Sequence, residues 1–156
     1  MTQSEERRES FVRWQAITIA QLGFVIGLLL SIAIAMLGFA FTQIKDATWS
    51  PTPCEKFVFS GGLVLLTLSI AFALICAINR LCDFRQTTRI ARDREKWLGE
   101  GRAETEIDRL LKPRRDHTEN LGTRTWILFG CQAATFSLGA LFLILALAII
   151  HHAELF

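Results

Sequence analysis

Few residues in this chain have side chains able to do chemistry, and their spacing does not favour it. His151 and His152 with Glu154 offer a metal contact at the C-terminal end, but adjacent histidines there read more simply as an interfacial tail. His117 stands between Asp116 and Thr118 with no Ser or Cys beside it to activate. Nucleophile and base must lie within hydrogen-bond reach of each other. Cys76 and Cys82 have no neighbouring His and lack the spacing of zinc ligands. There is no glycine-rich phosphate loop and no HExxH. The expectation is a protein that is not an enzyme, with no cofactor and no metal.

Polar groups inside the apolar stretches form the next candidate set. They are Gln21, Asn79 and Gln132 with scattered Ser and Thr, and no Asp, Glu, Lys, Arg or His lies deep among them. Ion-coupled carriers place such a charge on their path, so its absence weighs against active transport. A passive path lined by Thr18, Gln21, Gln132 or Thr135 in an oligomer is the alternative function, since hydroxyls and amides can line a pore.

The elements that must hold these residues are set by charge. Residues 14–44, 57–79 and 125–153 carry none, and each run exceeds the ~20 residues of a membrane-spanning helix. The fold class expected is an all-α membrane protein with three transmembrane helices, at 14–44, 57–79 and 125–150. The first run is about 46 Å long as a helix, so it must tilt, protrude or fray near Phe41 to Ile44. It is also too long for the apolar core of a secretory signal, and reads as an uncleaved anchor. Trp14 and Trp126 suit the inner interface and Trp49 the outer one.

Total charge says little, with 17 basic and 15 acidic residues, but its distribution orients the chain. All the basic residues except Lys45 and Lys56 lie in the N-tail (1–13) or in the segment 80–124. Short basic loops stay inside. The N-tail and 80–124 are therefore expected in the cytoplasm, and the loop 45–56 and tail 151–156 outside. A cell membrane is implied, and compact loops point to the bacterial cytoplasmic membrane. Cys76, Cys82 and Cys131 then lie on the reducing side. Cys54, alone outside, is a lone thiol before it is an intermolecular disulfide.

Two patterns carry interaction. In the first span Gly23, Gly27, Ser31 and Ala35 recur every fourth residue, and Gly23 to Gly27 is a GxxxG. Small residues let backbones approach where lipid supplies no hydrophobic drive. This ladder serves packing within the chain and packing between chains equally well. Weaker ladders are Cys131, Thr135 and Gly139 in the third span, and Ala73 and Ala77 in the second. The other pattern is a basic stripe of Arg85, Arg89, Arg92 and Lys96, spaced for one helix face. It reads first as the topology signal, with Arg89–Asp93 as an i,i+4 pair, and second as a surface for anionic membrane lipid. Acidic residues interleave through 80–124, so no nucleic acid partner is expected.

Segment 80–124 is expected as a helical cytoplasmic extension between the second and third spans. The second span continues to Leu98 and stops at Gly99 and Gly101. A short helix over 103–111 ends at Lys112 and Pro113, because the residue before proline avoids helical geometry. Asp116 or Thr118 then caps a last helix. Leu81, Phe84, Ala91 and Leu98 either cover Ile107, Leu110 and Leu111 in an antiparallel pair, aided by Leu121, or await a partner. The function expected is a non-catalytic membrane subunit, a scaffold that self-associates as a homo-oligomer or anchors another membrane or cytoplasmic protein.

Overall fold

A computed structural model describes residues 3–45 and 52–150. They form three helices, α1 (Gln3–Lys45), α2 (Pro53–Gly99) and α3 (Glu104–Ile150). With 43, 47 and 47 residues, each runs about 65–70 Å, roughly twice the hydrocarbon thickness of a bilayer. All three are long and apolar enough to cross a membrane. Their most apolar windows are only 17, 28 and 22% buried inside the chain. Phe24, Phe57 and Ile144 are 70, 78 and 59% exposed. Water would not tolerate that much apolar surface, so the chain is an all-α membrane protein with three candidate spans. Trp49 and Pro51 of the expected outer loop, and His151, His152 and Glu154, lie outside the described residues.

Local chemistry explains where α2 begins and ends. Thr52 caps its start: the Glu55 amide donates to Thr52 Oγ1 (3.5 Å), and the Thr52 amide donates to Glu55 Oε2 (2.7 Å). That reciprocal pair is a capping box, with Pro53 at the first helical position where no amide partner is needed. Pro53 thus opens a helix within the stretch 45–56 that was expected as a loop. At the other end Gly101 has φ +77°. The Arg102 amide donates to the Trp97 carbonyl (3.2 Å) and the Gly101 amide to the Leu98 carbonyl (3.0 Å). This Schellman arrangement satisfies carbonyls left open by the last turn. The Arg102 guanidinium lies 5.5 Å from the Trp97 ring centroid and covers the turn. Gly101→Ala should destabilise this turn by about 1 kcal/mol, because a Cβ disfavours the left-handed region. Hydrogen exchange checks it: amides 100–107 should exchange about fivefold faster.

The expected break at Lys112 and Pro113 does not occur. Pro113 lies inside α3, which continues without interruption to Ile150. Proline removes the amide that would reach the Arg109 carbonyl and crowds that carbonyl, a local cost of about 3 kcal/mol. Tertiary contacts offset it on both sides. Arg94 pairs with Glu104 (3.4 Å) and Arg114 with Asp93 (2.5 Å), while Asn79 binds the Leu121 carbonyl (2.9 Å). Ile107, Leu111 and Leu121 are buried along the same stretch.

Contacts divide the chain into two units, Met1–Ile70 with Thr135–Phe156, and Ala71–Ala134. In the first, Ala33, Ala40, Phe59, Leu66, Leu143 and Ala146 form the core, flanked by Met36, Leu37 and Phe136. Helices α2 and α3 approach closely at two glycines. A Cβ on Gly139 would lie 3.0 Å from the Leu66 nitrogen, and one on Gly62 3.1 Å from the Leu143 nitrogen. The second unit is an antiparallel hairpin of the end of α2 and the start of α3.

Candidate interaction surface on the hairpin

Within the hairpin unit, Asp83, Gln86, Ile90, Asp93, Arg94 and Trp97 are the half-buried side chains along α2 past Arg80. Their three- and four-residue steps make a coiled-coil-like seam. Opposite them Ile107, Leu111, Leu121 and Thr125 are buried on α3. Antiparallel pairing is therefore present, but through a different face of α2 than expected. Leu81, Phe84, Ala91 and Leu98 all remain exposed, as does Leu110. Ion pairs favour the observed rotation: it brings Asp93 to Arg114 and Arg94 to Glu104, at the charge-dense end of the hairpin. Burial pushes the Asp83 carboxyl above its ordinary value.

Nearer the apolar runs the two helices are clamped by amide and hydroxyl groups. The Asn79 side-chain amide donates to the Leu121 carbonyl (2.9 Å) and to Thr125 Oγ1 (2.8 Å). Thr125 in turn donates to the Leu121 carbonyl (3.0 Å), and the Cys76 thiol donates to the Thr125 carbonyl (3.6 Å). Interhelical hydrogen bonds of this kind contribute about 0.6–1.7 kcal/mol where lipid replaces water. Asn79 was visible as a polar residue in an apolar run, but its partners Leu121 and Thr125 were not. No spacing rule links them across the turn.

Arg85, Arg89, Arg92 and Lys96 are all exposed. The expected Arg89–Asp93 pair is replaced, because Asp93 takes Arg114. Lys96 pairs weakly with Glu100 at 3.9 Å. Among the described residues Arg85, Arg89 and Arg92 make no ion pair. Beside them Ile78, Leu81 and Phe84 line a shallow hollow on the outer side of α2.

The α1 ladder takes a different position from the packing face. Gly27, Ser31 and Ala35 are exposed and Gly23 is half-buried, whereas Ile26, Ala33 and Ala40 are buried. At about 100° per residue, Ser31 and Ala35 lie roughly opposite Ala33. A Cβ on Gly27 would meet nothing within 4 Å. Of the weaker ladders, Gly139 and Ala73 are buried and Ala77 is exposed. Of the residues named for a pore, Thr18 and Gln21 are exposed while Gln132 is fully buried. Among the described residues no group of three His, Cys, Asp or Glu could hold a metal ion.

The fold defines a class: an all-helical membrane protein with three long apolar helices. No protein-family model matches the chain, and no curated protein or solved structure does either.

Proposed function

We propose that this protein is a non-catalytic membrane subunit that holds a stiff two-helix arm at the cytoplasmic membrane surface. Through that arm and its spans it associates with a second copy, or with another membrane or cytoplasmic protein. The N-terminus is cytoplasmic and the C-terminus outside, in a bacterial cytoplasmic membrane. One observation carries the reading: the charged parts of α2 and α3 are ordered helices, closed by the Gly101 turn and tied by the Arg94–Glu104 and Asp93–Arg114 pairs. A stiff arm with an exposed apolar and basic side suits presentation to a partner. The dense Lys and Arg of 80–124 support the cytoplasmic placement. The exposed Gly27, Ser31 and Ala35 face supports association within the membrane.

Native mass of the full chain in lipid nanodiscs tests this. A defined homo-oligomer is expected, and Gly27→Leu should weaken it by about tenfold or more while leaving the monomer folded. A wild-type chain that stays monomeric removes self-association. A Gly27→Leu oligomer of unchanged strength removes that face of α1.

A further inference from the structure

We propose that the outer side of α2 just beyond Asn79 is a binding site for an anionic phospholipid. Its headgroup would lie on Arg85 and Arg89, with Arg92 at the outer edge, and its upper acyl chain against Ile78, Leu81 and Phe84. The inference rests on the reading that residues 80–124 stand outside the bilayer, and deepens it by naming a ligand class.

Three features converge on that occupant. First, the apolar side of α2 does not stop where the uncharged run stops. Ile78, Leu81 and Phe84 are 60, 69 and 74% exposed, with no cover from α3. At about 1.5 Å per residue Phe84 stands about 8 Å past Asn79, within an interfacial layer roughly 5–8 Å thick. A phenyl ring and a leucine there find acyl chains and glycerol rather than water. Second, charge takes over just past that layer. Arg85 lies about 9 Å and Arg89 about 15 Å past Asn79, the latter within about one Debye length of the interfacial layer. Their guanidinium groups are not neutralised, since neither makes an ion pair among the described residues. A guanidinium fork fits phosphate oxygens bidentately.

Third, helix polarity aims these side chains. Every Cα–Cβ bond tilts toward the helix N-terminus. Helix α2 leaves the apolar run as it goes from N to C, so Arg85 and Arg89 lean back toward the membrane. Helix α3 enters its apolar run from N to C, so Arg109 and Lys112 lean away from it. Those two residues are also exposed and make no ion pair among the described residues. They are therefore a matched control that removes the same charge from the other helix.

The test is lipid retention by native mass spectrometry on the full chain in mild detergent. The probes are phosphatidylglycerol and phosphatidylcholine with identical acyl chains. Wild-type protein should retain phosphatidylglycerol preferentially. Arg85→Gln with Arg89→Gln should weaken that retention ~30-fold, from about fivefold per arginine. Arg109→Gln with Lys112→Gln should stay within about twofold of wild type, because both side chains lean away from the membrane. Arg85→Lys with Arg89→Lys, which keeps the charge but not the guanidinium fork, should retain part of the preference, above the glutamine variant. Equal retention of the two lipids by wild type overturns the proposal, as does equal loss in both glutamine variants. Displacement by millimolar inorganic phosphate also overturns it, because the face would then take a free anion. A chain that is monomeric yet selects phosphatidylglycerol supports this site while refuting self-association. An oligomer without lipid preference overturns the site alone.

Discussion

Leucine at position 139 is expected to force α2 and α3 apart and lower the stability of the membrane helices by about 3 kcal/mol. The reason is what the new side chain would meet. Already its Cβ would stand 3.0 Å from the Leu66 nitrogen and 3.1 Å from Leu65 Cβ and Leu66 Cγ. The nearest obstacle is backbone, which cannot rotate out of the way. Across the contact, a Cβ on Gly62 would meet the Leu143 nitrogen at 3.1 Å and the Gly139 carbonyl oxygen at 3.2 Å, so the crossing is tight from both sides. Lipid tails are as apolar as the core, so helices in a bilayer hold together by close contact and not by exclusion from water. Separating the backbones forfeits that contact over the whole crossing. Alanine at 139 should lose less, about 1–2 kcal/mol. Unfolding with increasing SDS in mixed micelles measures these losses. Gly27→Leu is the internal comparison, with nothing within 4 Å of its Cβ. Equal unfolding of the 139 and 27 leucine variants would show that the α2–α3 crossing is not tight.

The second large effect is expected at Leu111. Leu111 and Leu143 are both fully buried, yet they do not exchange against the same solvent. If the arm stands in water, Leu111→Ala loses the transfer of its side chain from water together with the cavity term, about 3 kcal/mol. In the bilayer Leu143→Ala loses packing alone, because lipid solvates a released leucine nearly as well as the core does. About 1–2 kcal/mol is then expected. Hydrogen exchange over residues 104–120 reports the first, and SDS unfolding reports the second. Similar losses would mean that both leucines face the same medium, which contradicts a hairpin projecting from the membrane.

Much of the architecture was legible because the bilayer imposes a rule that the chain obeys locally. About 20 uncharged residues must stand together to cross hydrocarbon, and runs such as 57–79 are visible without knowing any contact. The stop of α2 was equally legible, since Gly101 takes a backbone conformation that side chains disfavour. The cap at Thr52 was written in the sequence too, as Thr52 followed by Glu55 three residues on with Pro53 between. Proline in the first turn favours helix rather than loop.

Tertiary structure decided the matters that depend on a neighbour. Pro113 breaks a helix by local rules, yet α3 runs through it because contacts with α2 lie on both sides of it. Rotation of the hairpin set Asp93 and Arg94 against Arg114 and Glu104, and left Leu81 and Phe84 outside. On α1 the GxxxG ladder suited packing within the chain or between chains equally. Ile26, Ala33 and Ala40 were buried instead, since the shape of the opposing surface selects the face that fits. The sequence by itself determined which runs are apolar enough to cross a membrane, because hydropathy is a property of each residue. Which side of each helix meets another was left to the fold, because close packing belongs to pairs of surfaces and neither member carries it alone.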